Sequence, residues 1–207
     1  CSRCKVVGYC DKVCQKAGWK SGHKKVCGKG EYQPLSKKTN LASMTADAAY
    51  LTGLHASNAR NVVAAESASR AAITKDPRLM LAHNNLGTLL RKLGRNGEAI
   101  VVFRKALALM AADKELAAGG TVVTTPEGTV MCVDETRWML QTNYGNALKD
   151  ARQLPAAVAQ YRKVLLDFKH ESEACRRAYA GLGISLSMLH GGDAPETIAA
   201  RRAACRS

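Results

Sequence analysis

A chain of 207 residues that is 46% apolar can bury a core, which argues against wholesale disorder. Aromatics at only 5%, with alanine abundant from about residue 42, favour close-packed helices over a β-sandwich. The net charge is +14, no apolar run reaches the roughly 18 residues of a membrane-spanning helix, and no signal-peptide pattern is present.

Residues 1–27 hold five of the eight cysteines, Cys1, Cys4, Cys10, Cys14 and Cys27, together with His23. A secreted disulfide scaffold spreads its half-cystines through the fold, whereas cysteines crowded beside a histidine read as reduced thiolate ligands. The expected compartment is therefore cytoplasmic or nuclear. The spacing is C-x2-C-x5-C-x3-C-x8-H-x3-C. Tetrahedral Zn(II) takes four such donors: a C-x2-C knuckle brings two, and H-x3-C on a helical turn brings two more. Six donors exceed one zinc, which leaves either two sites short of ligands or one site with spares. A zinc closed by four such donors would have no open coordination position and would be structural, not catalytic.

Residues 28–45 read as a linker, polar and punctuated by Gly and Pro over 28–40. Residues 1–40 carry ten Lys and Arg against Asp11 and Glu31, a net of +8. Beyond the linker, residues 46–207 read as a helical repeat domain. Gly53, Ala65 and Ala72 recur 34 residues later as Gly87, Ala99 and Ala106, and 58 residues beyond that as Gly145, Ala157 and Val164. Phe103-Arg104-Lys105 is likewise matched by Tyr161-Arg162-Lys163. Small residues at this spacing suit two helices in close approach, with a large residue filling the space between them. The larger second offset places an insertion over residues 114–137. Its runs Thr121–Thr125 and Thr129–Val133, on either side of Pro126-Glu127-Gly128, predict a short hairpin.

Two resemblances grow out of these residues. Tyr9-Cys10, Cys14-Gln15, Trp19, His23-Lys24 and Cys27, in this order, resemble the MYND zinc finger. That family carries eight ligands in interleaved pairs, the first and third pairs on one zinc, the second and fourth on the other. The resemblance implies that Cys1, Cys4, His23 and Cys27 form one site. Cys10 and Cys14 would be half of another whose partners are expected before residue 1. It further implies recognition of peptide partners, typically proline-rich, with Gln15 and Trp19 at the contact positions. An exposed indole stacking on proline fits polyproline II recognition. Nucleic acid is the subordinate reading: Lys16, Lys20, Lys24 and Lys25 could meet phosphate, but the segment has no arginine-rich helix to read bases.

The 34-residue period, with Leu86-Gly87 in a first helix and Ala99, Phe103 and Ala106 in a second, resembles the tetratricopeptide repeat. Three to four helix-turn-helix units are expected, the last keeping Leu182-Gly183. The implied fold class is mostly α: a small zinc-stabilised N-terminal finger, then an α-solenoid with a short hairpin-like insertion. Asn85 and Asn143 share one repeat position, where some peptide-binding arrays of this type hold an extended peptide by its backbone amides. An amide side chain suits that task because it offers a donor and an acceptor together. The function expected from the whole is a non-catalytic, zinc-binding protein–protein interaction adaptor. The alternative is a fragment of a MYND/SET-type protein lysine methyltransferase lacking its catalytic domain. Residues 28–45 are too few for that domain, and no acid/base constellation or phosphate-binding glycine loop is evident.

Overall fold

The computed structural model describes residues 41–113, 122–124, 130–168, 172–190 and 195–206. The chain divides into two units, Cys1–Thr39 and Asn40–Ser207. The first unit, with the cysteine segment, lies outside the described residues, as does most of the linker expected over 28–45. The second unit is mostly α. Its helices among the described residues are α1 (Ala46–Asn58), α2 (Val62–Lys75), α3 (Met80–Lys92), α4 (Asn96–Ala112), α5 (Val133–Asp150), α6 (Leu154–Asp167), α7 (Ser172–His190) and α8 (Pro195–Arg206).

Local chemistry sets several of these boundaries. The Ala48 amide donates to the Thr45 hydroxyl at 3.2 Å at the start of α1. The Ala64 amide donates to the Asn61 side chain at 3.2 Å at the start of α2. Each cap satisfies an amide that the first helical turn leaves without a partner. Pro155 and Pro195 sit in the opening turns of α6 and α8, where a missing N–H costs nothing. Pro77 stands between α2 and α3, where a helix must stop.

The first three helix pairs reverse through one and the same turn. Arg60, Gly94 and Arg152 take positive φ, 58°, 75° and 61°. The next amide then reaches back to the preceding helix: Asn61 to Ala56 at 2.8 Å, Arg95 to Leu90 at 2.9 Å and Gln153 to Leu148 at 2.9 Å. This closure is what a left-handed residue just past a helix end produces. The turns are separated by 34 and 58 residues, the offsets at which the sequence repeats. The close approach of paired helices recurs with them. A Cβ added at Gly53 would stand 2.9 Å from Ser69 Oγ, at Gly87 2.5 Å from Phe103 Cζ, and at Gly145 2.8 Å from Tyr161 Cε1.

Each helix packs on its neighbours in sequence, and the first helices of successive pairs also touch one another, α1 on α3, α3 on α5 and α5 on α7. One continuous core runs from Met80 to Ala200 and includes Leu90, Phe103, Leu140 and Tyr161, all fully buried. A smaller cluster of Ala49, Tyr50, Ala72 and Ala82 joins the first pair to α3. Alanines at the contacts let the helices approach; the few large side chains fill what remains.

In the insertion, β1 (Val122–Thr124) pairs antiparallel with β2 (Val130–Cys132), Val123 opposite Met131. The expected Pro126-Glu127-Gly128 turn lies outside the described residues. Helix α5 follows β2 directly and begins at Val133, inside the stretch 114–137 assigned to the insertion. Asp134 and Glu135 in its first turn complement the helix dipole, and Val133 and Trp138 are buried, so this turn is anchored to the core.

Candidate functional site

The neighbouring first helices α3 and α5 carry several short polar side chains, with Met139 beside them. Asn84, Asn85 and Thr88 stand on α3; Met139, Thr142 and Asn143 stand on α5. Asn143 Nδ2 donates to Asn84 Oδ1 at 2.8 Å, and Asn84 Nδ2 makes a long contact of 3.8 Å to Met139 Sδ. The structure thus brings Asn143 to Asn84 and not to Asn85. Asn85 is half-buried, and its Nδ2 is buried without a hydrogen-bond partner, as are the hydroxyls of Thr88 and Thr142. Which end of an amide is nitrogen follows from the hydrogen-bond network, so either end of Asn85 could turn toward a ligand. Leu51 occupies the equivalent place on α1 and offers no amide.

Toward the C-terminal end of α3 and α5 the face becomes charged. Arg91 Nη1 meets Asp150 Oδ2 at 2.7 Å, and Lys149 Nζ meets Asp150 Oδ1 at 2.9 Å. Burial pushes the Asp150 carboxyl up, but hydrogen bonds from Lys149 and Arg91 outweigh it and hold the group below its usual range. The phenol of Tyr161 donates to Asn146 Oδ1 at 2.8 Å, and burial raises its pKa first of all, with the Asp150 charge adding to the effect. The Asp150 carboxylate is thus occupied by Arg91 and Lys149, whereas Arg91 Nε is buried without a hydrogen-bond partner. Amides and hydroxyls in such a row can exchange hydrogen bonds with a peptide backbone; they supply no nucleophile with a base beside it.

The remaining residues that could carry chemistry stand apart. His83 is buried against the Pro77 carbonyl, while His55 and His190 are exposed. The Cys175 thiol donates from Sγ to the Phe168 carbonyl at 3.3 Å. Among the described residues no group of three or more His, Cys, Asp or Glu gathers to hold a metal. The expected zinc ligands, Cys1, Cys4, Cys10, Cys14, His23 and Cys27, and the expected peptide contacts Gln15 and Trp19, lie outside the described residues. By donor chemistry the ligand set fits zinc: thiolates and imidazole are the ligands of structural sites.

Asn84 and the pair it forms were not legible from repeat alignment, which matches each residue with its equivalent. Neighbouring first helices are offset, so Asn143 meets the residue before its equivalent. Among the described residues no helix is long and apolar enough to cross a membrane. Comparison with curated proteins finds no match. Residues 1–27, with their six thiol and imidazole groups, match the family model of the MYND finger, a zinc-binding protein-interaction domain.

Proposed function

We propose that the chain is a non-catalytic adaptor, in which a MYND-type finger over residues 1–27 and a tetratricopeptide-like solenoid over residues 46–207 each bind peptide segments of partner proteins. The observation that carries this reading is the family match of residues 1–27. The turn and the glycine contact that recur at 34 and 58 residues support the solenoid half. Cys1, Cys4, His23 and Cys27 hold one structural zinc, and Cys10 and Cys14 contribute half of a second site. Gln15 and Trp19 contact a proline-rich peptide. Asn85 and Asn143 grip an extended peptide on the first-helix face, with Asn84 bracing Asn143 from α3. Thiolate ligands require a reducing compartment, so the adaptor works in the cytoplasm or nucleus.

Titration of wild type and two double variants against a peptide pool tests this. Trp19→Ala with Gln15→Ala is expected to abolish proline-rich binding, because truncating a stacked ring costs on the order of 2 kcal/mol or more. Asn85→Ala with Asn143→Ala leaves that activity intact and weakens a second, extended ligand by about 1–2 kcal/mol per asparagine. Loss of one and the same ligand in both variants would refute two separate sites.

A further inference from the structure

On the opposite side of α5 from Asn143, an open pocket of about 320 Å³ lies between α4, α5 and α6. Two residues along a helix turn the side chain by about 200°, so Gln141 faces away from the asparagine cluster. The apolar wall is Leu107, Met110 and Ala111 of α4; the polar wall is Arg137 and Gln141 of α5 with Gln160 and Lys163 of α6.

Gln141 is the informative residue. It is 5% exposed, and its Oε1 is buried with no hydrogen-bond partner. Its Nε2 donates to Asp167 Oδ2 at 3.3 Å. A carboxylate only accepts, so the NH2 end is committed to Asp167 and the carbonyl end is left for a donor. A buried acceptor with no donor is costly, and native proteins rarely leave one so. The charges are asymmetric as well. Arg137 is held by Asp134 at 3.0 Å, whereas Lys163 has no acidic partner among the described residues. Lys163 and Gln160 stand three apart on one face of α6 and can meet one group together.

An apolar floor, one buried acceptor and one cation without an acidic partner among the described residues define a ligand with an aliphatic body, an N–H donor and a carboxylate. The geometry points to a binding site for an N-acylated aliphatic amino-acid unit with a free carboxylate. Its amide N–H donates to Gln141 Oε1, its carboxylate meets Lys163 with Gln160, and its side chain lies on Leu107 and Met110. The pocket volume suits one such unit. The same chemistry has two sources, a free N-acyl amino acid or the C-terminal residue of a peptide. The site shares no residue with the asparagine face, so neither reading depends on the other.

The test uses the full chain, zinc-loaded and isotope-labelled, titrated by NMR with three probes: N-acetyl-leucine, an N-acetylated trialanyl-leucine acid, and the same peptide as its C-terminal amide. The expected result is saturable shifts of the Gln141 side-chain amide and the Leu107 and Met110 methyl groups. The acids should bind about tenfold more tightly than the amide, since a hydrogen bond to a charged group is lost with the carboxylate. Lys163→Met, a change at an exposed position, should remove that tenfold preference and leave amide binding unchanged. Gln141→Leu should weaken all three probes. Tighter binding of the peptide acid than of N-acetyl-leucine assigns a chain terminus; equal binding assigns the free acid. Equal affinity for acid and amide, an unchanged preference in Lys163→Met, or no saturable shift at these residues would overturn the proposal.

Discussion

His83 is 1% exposed in the core of the second helix pair, with Nε2 3.0 Å from the Pro77 carbonyl. A carbonyl only accepts, so this nitrogen carries the proton and the neutral ring ties α3 to the turn before it. Burial is the dominant influence and lowers the pKa from the usual 6.5; the Pro77 hydrogen bond opposes it, Lys105 adds to it and Asp76 opposes it. The unfolded chain therefore takes up a proton at a higher pH than the folded one. The stability that neutral His83 contributes is complete above about pH 6.5 and is lost as the pH falls below that value. Glu66, Glu98 and Asp150 are held below ordinary values of 4.5, 4.5 and 3.8, so their contribution fades only in more acid solution. Urea midpoints of the helical signal at pH 8, 6.5 and 5.5 should decline for wild type and stay level for His83→Gln, which keeps an N–H for Pro77 without titrating. Parallel declines in the two proteins would assign the pH dependence to another group. This role was not legible in the sequence, where His83 is an isolated histidine; only the turn at Pro77 folding back on α3 gives it a partner.

The second and third helix pairs are set by where a glycine lets a ring in. Phe103 and Tyr161 are fully buried, and Tyr161 is further held by its bond to Asn146, so neither ring can step aside. Tyr161 lies between two glycines, Gly145 of its own pair and Gly181 of α7; a Cβ at Gly181 would fall within contact of Cζ, Cε1 and Oη. Gly87→Ala and Gly181→Ala should each destabilise by about 1–3 kcal/mol, the typical cost of overpacking a filled core. Gly97 provides the control. Nothing stands within 4 Å of its added Cβ, and Gly97→Ala in α4 should be neutral or stabilise by up to about 1 kcal/mol through helix propensity. Urea denaturation of the three variants separates steric from propensity effects; equal responses would show that the rings do yield. Much of this was legible, because Gly87 with Phe103 and Gly145 with Tyr161 repeat at fixed spacing. The last interface was not: Gly181 of α7 meets Tyr161 of the preceding pair, a contact between pairs that matching equivalent residues within pairs does not reveal. The start of α5 was hidden for a related reason, since the β-prone run ends on Val133, which the helix buries.

At the scale of the whole molecule, composition alone separates a cysteine- and lysine-rich segment from an alanine-rich one, and the chain divides into Cys1–Thr39 and Asn40–Ser207. The two parts are expected to draw their stability from different sources. The helical unit has its own core from Met80 to Ala200, and no described group of its side chains could hold a metal. The large apolar residues of segment 1–27 are Val6, Val7, Tyr9, Val13, Trp19 and Val26, too few to order it by burial alone. For structural zinc peptides the metal contributes about 10–16 kcal/mol, and that energy is the folding energy. A strong chelator should therefore release the zinc assigned to Cys1, Cys4, His23 and Cys27 and collapse the NMR dispersion of residues 1–27. The far-ultraviolet helical signal and its urea midpoint should stay where they were. Cys27→Ser, which removes one thiolate of the proposed four-ligand set, should reproduce the chelated state without chelator. Retention of ordered resonances from residues 1–27 after complete metal removal would show that the segment folds without zinc; loss of the helical signal with the metal would show that the helical unit borrows stability from that segment.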